Sequence, residues 1–542
     1  MTSLAVPLTT ANTTSASSQS NTTPSLWLQI VCAAASGAMI GLPFIFPELF
    51  IITWIAWVPL LCACHQSSAK RCYFLGLICG LVCYTISLYW ITDFVFLFKG
   101  YSPLTCLIFS LVFWLYSAQL QALMLLTFAI IKKYSKLHPV VFFPPLVVVF
   151  HAGFPALFSV QLGESQSQFV LALQSIELTG VYGLDWVIAI SSVAVYSVIT
   201  RNKRRVVLGS SIAILFVWFA TGAFLQVHWS HSQSQWPQKT IGIVQSNEPP
   251  ILGKNKPYPG FSLAYPPEMA MTEQLANSGA ELVLWPEGKT KSFFTEPHVA
   301  KAYQNTIDTL GVPLVFQDMD PIFADNGSER LGSYNTAVLL SPNNKAFQSY
   351  QKMKRIAVGE SLPVVSNLPF LHNFLRSYLG DFFKEIYAGK QQKVFTNTLF
   401  SIVPLVCYEV IFPDFSANAA ALTEEGSPNP LMVTLSSDAW FGDSHQPRQH
   451  VNTSILRTVE NRMPLVHVVN NGPSIAVNAL GEVIFETPHH QAGGYLVNVP
   501  IAPEYSTTFF NQHPKLVLVI AWMVLATLLL WHVVLQRWKT RY

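Results

Sequence analysis

The sequence predicts two structural parts, a polytopic α-helical membrane domain and one extramembrane α/β domain. Hydrophobic residues make up 51% of the 542 residues and charged residues only 11%, whereas about 25% charged residues is usual in soluble proteins. The apolar residues lie mostly in stretches of roughly 20 residues, the length that a helix needs to cross a bilayer. Between about residues 238 and 500, short β-like runs alternate with helical ones, which is typical of layered α/β domains.

The membrane part is predicted to contain about eight transmembrane helices. Pro43, Pro47 and Glu48 separate the first stretch from the second, because proline does not fit inside a helix. The predicted spans lie at about 26–45, 49–65, 73–95, 103–131, 138–160, 182–200, 206–227 and 515–535. Residues 1–25 are rich in Ser and Thr and are expected to form a disordered leader. This leader lacks the basic residues of a signal peptide, so no cleavage is expected.

Basic residues predict the orientation of the helices. Twelve Lys and Arg residues flank the predicted spans on one side, and only Lys99 lies in the short loops of the other side. The twelve are Lys70, Arg71, Lys132, Lys133, Lys136, Arg201, Lys203, Arg204, Arg205, Arg537, Lys539 and Arg541. Cytoplasmic loops are enriched in such residues. Both termini are therefore expected in the cytoplasm and the segment 228–514 outside it, between a seven-helix membrane domain (26–227) and an eighth helix with a basic tail (515–542).

The number of predicted helices suggests that they do more than anchor a domain. One helix would be sufficient as an anchor, and polar residues such as Asp93 and Glu177 near the outer ends are costly in lipid. Lateral entry of a lipid substrate would explain both features, although passive anchoring remains an alternative. The net charge of +3 gives no indication of nucleic-acid binding.

Cys407 is the only cysteine of the predicted outer domain, whereas the other seven lie in or beside the early spans. A cysteine without a partner in an oxidising compartment is either functional or a buried inert thiol. The pair Cys62 and Cys64 lacks the further ligands that a zinc site requires, so no metal is expected. Five histidines of the outer domain are more simply interpreted as surface residues than as partners of a catalytic cysteine; these five are His445, His450, His467, His489 and His490.

Three segments of the outer domain carry candidate catalytic residues at the ends of predicted strands. In LVLWPEG a predicted strand ends at Glu287. YQKMKRIAVGESLP contains Lys352 and Glu360, and PLVCYEVIFPD contains Cys407. A thiol has a reference pKa near 8.5, so it needs a base such as a carboxylate to become a nucleophile at neutral pH. A lysine can stabilise the oxyanion that forms when a thiolate attacks a carbonyl group.

Each of these residues also has a purely structural interpretation. Glu287 could cap a helix, Lys352 could be a solvated strand residue, and Glu409 could form an ion pair with Arg448 or Arg457. The ordered combination with a single cysteine favours catalysis over these alternatives.

The order Glu, Lys, Cys resembles the catalytic triad of the nitrilase superfamily, which implies an αββα sandwich. The segments SSDAWFGDSHQPRQH, VVNNG, WIAWVPLL, SLYWI and LTGVYGLDWVI are similar to the apolipoprotein N-acyltransferases in particular. The sequence departs from the family at Ala357-Val358, where Pro-Phe is usual, and in the basic Gly-Lys-Thr-Lys that follows Glu287. The lid region, about 246–262, lacks the frequent Trp, so Tyr258 and Phe261 are its aromatic candidates.

The resemblance implies roles for the site residues. Glu287 would be the general base, Lys352 the oxyanion donor and Cys407 the nucleophile. Glu360 would orient Lys352. The two residues after Cys407 would also support the reaction: Tyr408 would donate its backbone N–H to the oxyanion, and Glu409 would hold the turn, or elbow, that carries Cys407. No metal or organic cofactor is implied.

The resemblance also implies a reaction and a location. A fatty acyl chain would pass from a membrane phospholipid, through a thioester, to the α-amine of a diacylated lipoprotein. The enzyme would be a monomer in the bacterial inner membrane with its catalytic domain on the periplasmic side. A membrane-tethered amidase with the same triad and a non-catalytic lipid-binding or transport protein remain alternatives.

Overall fold

The structure of the protein is a computed structural model. It describes residues 25–539 except 136, 159–160, 202, 250–257, 289, 325–329, 357–359, 361–369, 371–376 and 378–385. Residues 1–24 and the Ala357-Val358 pair therefore lie outside the described part of the chain.

The first half of the chain is helical. Its α-helices are Leu26–Gly41 (α1), Val58–Ala63 (α2), Ala69–Ser87 (α3), Ile91–Lys99 (α4), Pro103–Ser117 (α5), Gln119–Ser135 (α6), Pro139–Gly153 (α7), Val170–Leu173 (α8), Ile176–Thr200 (α9) and Arg204–Gln233 (α10). Three 3-10 segments connect them, Leu42–Phe44, Pro47–Ile55 and Leu162–Gln166. Proline begins the second of these segments, as the predicted turn between the first two spans requires.

Five helical segments among the described residues are long and apolar enough to cross a membrane. They are Leu26–Phe44, Ala69–Ser87, Pro103–Ser135, Ile176–Thr200 and Arg205–Gln233. Each overlaps one of the predicted spans, although the span predicted at 73–95 continues past the end of α3 at Ser87 into α4. The other three predicted spans coincide with shorter apolar helices, Pro47–Ala63, Pro139–Gly153 and Leu516–Trp531. The chain is thus a membrane protein by its helices, and the count of eight transmembrane helices stays a prediction.

Small residues bring the membrane helices close together. A Cβ atom on Gly37 of α1 would lie 2.3 Å from the backbone oxygen of Cys79 in α3, and one on Gly80 would lie 2.7 Å from Cα of Ala118. Helices in lipid associate through such close backbone approach, because no hydrophobic gain is available between them. Side chains at these two positions would push α1 and the junction between α5 and α6 away from α3.

The second half of the chain forms two stacked β-sheets. The strands are Gln238–Gln245 (β1), Leu282–Leu284 (β2), Leu314–Phe323 (β3), Arg330–Leu340 (β4), Gln348–Gln351 (β5), Ile386–Tyr387 (β6), Phe395–Thr396 (β7), Ser401–Val406 (β8), Pro430–Ser436 (β9), Leu465–Val469 (β10), Ile475–Val477 (β11), Val483–Glu486 (β12) and Gly493–Pro500 (β13). One sheet has the order β13-β1-β2-β3-β4-β5, with β6 beside β4, and the other the order β12-β11-β10-β9-β8-β7. Strands β1, β2 and β3 are parallel, as are β8, β9 and β10.

Helices cover the outer faces of both sheets. They are Pro267–Asn277 (α11), Pro297–Leu310 (α12), Pro413–Ala420 (α13), Gln446–Asn461 (α14) and Phe509–Gln512 (α15), and Leu516–Lys539 (α16) then leaves the domain. Ile243, Val406 and Val433 belong to the apolar core between the sheets, while Val299 and Phe415 belong to the outer helix layers. The domain is therefore the αββα sandwich that the resemblance implied, with its parallel strands buried on both faces as such strands require.

Helix α14 joins the sandwich to the membrane helices. Its apolar residues Val451, Ile455 and Val459 belong to the same buried cluster as the cores of α3, α7 and α9. At its carboxyl end, Arg462 donates to Glu177 at 2.8 Å and to the side chain of Gln174 at 2.8 Å. The two parts of the chain thus share one packed interface beside the end of β8.

Candidate active site

Cys407 lies at a sharp turn where β8 ends. Strand β8 stops at Val406, and residues Cys407–Ile411 form a single 3-10 turn. Cys407 has φ +51°, a left-handed conformation that costs energy for a residue with a side chain. The turn leaves the thiol at the carboxyl edge of the parallel strands, where neighbouring strands also deliver polar side chains.

Glu287 reaches the same edge from the other sheet. It follows β2 after Trp285 and Pro286, and its carboxylate is hydrogen-bonded by the thiol of Cys407. The side chain of Asn335 in β4 donates to Glu287 Oε1 at 2.6 Å, and Gln317 in turn donates to Asn335 Oδ1 at 2.9 Å. Burial raises the pKa of Glu287, while the charge of Lys352 lowers it. A carboxyl group with a raised pKa is well suited to accept and return a proton near neutral pH.

Lys352 follows β5 and is fully buried. Its Nζ donates to Glu360 Oε1 at 2.8 Å, and the backbone N–H of Ile356 donates to the other carboxylate oxygen at 2.8 Å. Burial alone would lower the pKa of Lys352, but the carboxylates of Glu360 and Glu287 raise it above its usual value. Lys352 is therefore a fixed positive charge, as an oxyanion donor should be.

Glu409 holds the elbow against the segment that carries Lys352. Its Oε1 accepts from the Tyr350 hydroxyl at 2.7 Å and from the backbone N–H groups of Met353 and Lys354 at 2.7 and 3.1 Å. Its Oε2 accepts from the N–H of Val406 at 2.9 Å. These contacts exclude the alternative of an ion pair with Arg448 or Arg457. Arg448 instead pairs with Glu486, and Arg457 with Glu460.

The charges around Cys407 keep its thiol protonated. Burial and the negative charge of Glu287 raise the pKa of the thiol well above its usual value, and Lys352 only partly opposes them. A nucleophilic role for Cys407 would therefore need a neighbouring base, such as Glu287, to take the thiol proton during attack.

The thiol lines a cavity whose other wall comes from the membrane part. The cavity measures about 60 Å³ and contacts Trp90 and Phe158 from the membrane part and Ile356, Cys407 and Phe441 from the sandwich. Its rings pack edge to face, Trp90 to Phe158 at 5.0 Å and to Phe441 at 5.1 Å between centroids. The aromatic wall of this cavity favours an apolar group next to the thiol.

Tyr408 connects the elbow to the membrane part. Its hydroxyl donates to the backbone oxygen of Leu157, and its ring lies 6.2 Å from that of Phe158. The backbone N–H of Tyr408 is the next one after Cys407 along the turn. Its role in the oxyanion hole, which the resemblance implies, stays a prediction.

The interpretation of all five histidines as surface residues is wrong for His450 and His467, which are buried. His450 Nδ1 lies 3.1 Å from Asp438 Oδ1, and its Nε2 lies 3.3 Å from the backbone oxygen of Cys407. His467 is held by the hydroxyls of Ser436 and Ser454. His450 therefore contacts the main chain of the elbow rather than the thiol, which fits support of the turn and not a Cys-His pair.

Sequence reasoning missed Asn335 as well as this histidine. Asn335 could have been noticed as an amide inside the largely apolar strand YNTAVLL, because a buried polar side chain needs a hydrogen-bond partner. The lid candidates lie elsewhere. Tyr258 and Phe261 are 37% and 38% exposed, and neither lines the cavity at Cys407. Among the described residues, no group of three or more His, Cys, Asp or Glu side chains could hold a metal ion.

Comparison with known proteins covers both parts of the chain. Residues 36–194 match the apolipoprotein N-acyltransferase N-terminal domain and residues 265–508 match the carbon-nitrogen hydrolase domain. The apolipoprotein N-acyltransferase of Geobacter metallireducens is 28% identical over 510 residues, which are 91% of this chain and 92% of that protein. That of Rickettsia prowazekii is 26% identical over 330 residues, 60% of this chain and 62% of that one.

Among solved structures, an amidase from Nesterenkonia sp. is 19% identical, with a TM-score of 0.35, over 52% of this chain and 96% of the amidase. The two domain matches follow each other along the chain in the same order as the helical part and the sandwich. With both domains matched and a relative aligned over nine-tenths of its length, the chain is similar to the apolipoprotein N-acyltransferases through both of its parts.

Proposed function

We propose that this protein transfers a fatty acyl chain from a membrane phospholipid to the α-amine of the N-terminal diacylglyceryl-cysteine of lipoproteins, through a thioester on Cys407. The observation that carries the proposal is the position of the thiol. It lies between Glu287 and a cavity walled by Trp90 and Phe158, so the nucleophile faces apolar side chains of the membrane part. Family members that carry this name align with nearly the whole chain.

In the first half of the reaction, Glu287 takes the thiol proton while the sulfur of Cys407 attacks the ester carbonyl of the phospholipid. Lys352 and the backbone N–H of Tyr408 stabilise the oxyanion. The carbon–oxygen bond then breaks, and Glu287 returns the proton to the departing oxygen, which gives a lysophospholipid and the thioester. Phosphatidylethanolamine is the donor that the family resemblance suggests.

In the second half, the acceptor amine attacks the thioester carbonyl. A carbon–nitrogen bond forms, the carbon–sulfur bond breaks, and Glu287 moves a proton from nitrogen to sulfur. A thioester suits this exchange because it keeps the acyl group reactive while the two lipids change places. The chain's own residues suffice for each step, with Glu360 and Glu409 orienting Lys352 and the elbow.

The location follows from the same reasoning. The excess of basic residues on one side of the predicted spans supports a position of segment 228–514 outside the cytoplasm. We therefore propose a multi-pass inner-membrane enzyme that acts as a monomer, with its sandwich in the periplasm and both termini in the cytoplasm.

The test is a two-stage assay on the purified full chain. Phospholipid alone should give about one equivalent of lysophospholipid and an acyl mass on Cys407, because the second substrate of a ping-pong enzyme is missing. A diacylated lipopeptide with a free cysteine amine should then remove the acyl group and become triacylated. Cys407→Ala should show neither stage, while Cys32→Ala, a half-buried cysteine of α1, should show both. Steady release of free fatty acid, unchanged by the lipopeptide, would identify a hydrolase instead.

A further inference from the structure

Three adjoining cavities run from the catalytic thiol to an open cleft on the far side of α14. The cavity at Cys407 shares Gln449 and Thr453 with a second, smaller cavity. The second shares Ser167 and Asn452 with a third, which is open and measures about 550 Å³. Neighbouring cavities thus share polar lining residues at each step from the nucleophile to the outer cleft.

The middle cavity is small and polar. It measures about 20 Å³, which is room for about one water molecule. Glu164, Ser167 and Thr453 contribute hydroxyl or carboxyl groups to its wall. The Thr453 hydroxyl donates to the backbone oxygen of Gln449 at 3.3 Å and leaves its own lone pairs free to accept. Hydroxyl groups with a water molecule between them can relay a proton.

Glu164 is the only acidic residue in that wall among the described residues. Its side chain is 8% exposed, and its Oε1 has no hydrogen-bond partner in the described part of the protein. The charged groups that face it are Arg457 and Glu460 from α14 and Asp185 from α9. Burial raises the pKa of Glu164 to about 8, although Arg457 opposes the shift. A carboxyl group in this state can both accept and release a proton near neutral pH.

The two halves of the proposed reaction differ in their proton balance. In the first half, the thiol proton ends on the leaving lysophospholipid, so no net proton is released. In the second, the acceptor arrives largely as an ammonium, because an α-amino group has a pKa of about 7.7–8.0. The ammonium must lose one proton before its nitrogen can attack, and Glu287 is already needed to move another from nitrogen to sulfur. The extra proton therefore requires an exit from a buried site.

We propose that Glu164 conducts this proton from the acceptor ammonium to the outer cleft, by way of the middle cavity. The inference rests on the proposed function. Glu164 touches neither the substrate nor the thioester, so it acts at a distance, as a positioning residue for the proton and not as a catalytic residue. R–NH3⁺ loses its proton to the carboxylate through water, the carboxyl group releases it outward, and R–NH2 then forms the amide while the thiol is restored.

The experiment separates the two halves in the purified full chain. The enzyme is loaded with a labelled acyl chain from phospholipid, and discharge by a diacylated lipopeptide is followed between about pH 6.5 and 9. Glu164→Gln removes the titratable group and keeps its size, whereas Asn452→Leu closes the outer wall of the middle cavity with an apolar side chain. Glu424→Gln is the matched control, because Glu424 is exposed and remote from the three cavities.

Acyl-enzyme formation should stay within about twofold of the wild type in all variants. Discharge by the lipopeptide at pH 7 should fall by about 10-fold or more in Glu164→Gln. This is less than the roughly 10²–10⁴-fold that a general acid or base beside the reacting atoms contributes, because Glu164 acts at a distance. The deficit should close towards pH 9, where the acceptor arrives as a free amine. Discharge by hydroxylamine, which attacks as a neutral nucleophile, should not change. Asn452→Leu should show the same pattern.

An unchanged pH profile in either variant would overturn the proposal. A defect of equal size with hydroxylamine, or one that persists at pH 9, would mean that Glu164 only supports the fold. If Glu164→Gln does not fold, the outcome for Asn452→Leu decides, because Asn452 is only partly buried. Failure of the wild type to acylate the lipopeptide would instead refute the proposed function itself.

Discussion

Glu409 offers a quantitative test of how the elbow is held. Its two oxygens accept four hydrogen bonds, three on Oε1 and one on Oε2. In Glu409→Gln the amide oxygen can replace Oε1, but the NH2 group then faces the N–H of Val406, so one charge-assisted bond is lost. Such a bond contributes about 1.5–3 kcal/mol. The other three bonds weaken when the charge is removed.

Burial opposes part of this loss, because it already raises the pKa of Glu409 and a neutral amide is cheaper to bury. We therefore expect Glu409→Gln to destabilise the sandwich by about 2–3 kcal/mol. Glu409→Ala should destabilise it more, because it leaves all four donors without a partner. Thermal unfolding followed by tryptophan fluorescence should show this order. For a domain of this size, about 3 kcal/mol corresponds to roughly 6–12 °C.

The same substitution should slow thioester formation, because the strained conformation of Cys407 depends on the anchored turn. Glu486→Gln is the matched control, since the side chains of the Glu486–Arg448 pair are 35% and 33% exposed and surface pairs contribute about 0–1 kcal/mol. Equal stability and equal acylation rates in Glu409→Gln and the wild type would refute this account of the elbow.

Three further predictions concern the charges of the site and the topology. Asn335→Ala removes a hydrogen bond that lowers the pKa of Glu287. Since the base must be deprotonated to act, the acidic limb of the pH–rate profile for acylation should move to higher pH. A shift to lower pH would contradict the assignment of Glu287 as the base. Lys352→Met should reduce thioester formation by about 10²-fold or more, measured by the acyl mass on the protein, and a normal yield would exclude an oxyanion role. Reporter fusions after Arg205 and at the C-terminus should lie in the cytoplasm and a fusion near Asn255 outside it; a cytoplasmic signal at Asn255 would reverse the predicted orientation.

The sequence predicted the candidate site best where a polar residue directly follows a buried apolar strand. Buried parallel strands are apolar until they end, so the polar residue after each run marks the edge of the sheet. Glu287 and Cys407 follow such runs, at β2 and β8. Lys352 instead follows β5, a short polar strand that pairs antiparallel with β4. Strand β13 escaped this reasoning, because Gly493 and Gly494 open it and glycine is uncommon inside strands. It nevertheless pairs with β1 along eight residues at the edge of the sheet.

Contacts between distant segments could not be predicted in the same way. Nothing in the local pattern links Asn335 to Glu287, 48 residues away, or Trp90 to Gln449, whose side chains are hydrogen-bonded at 3.0 Å. Both contacts depend on how sheets and helices assemble. A single buried amide or indole carries no periodic signal by which its partner can be identified.

Helix α14 determines how the two walls of the catalytic cavity meet. Gln449 accepts from the Trp90 indole and donates to the backbone oxygens of Phe44 and Ser87, so one amide fixes three points of the membrane part. The next residue, His450, contacts the backbone of Cys407. The thiol and the aromatic wall are therefore positioned by adjacent residues of one helix. Loss of the Trp90–Gln449 or the His450–Cys407 contact should change the shape of the cavity while Glu287 and Lys352 stay in place. The membrane helices therefore form part of the structure of the proposed acyltransferase site, in addition to any role as an anchor.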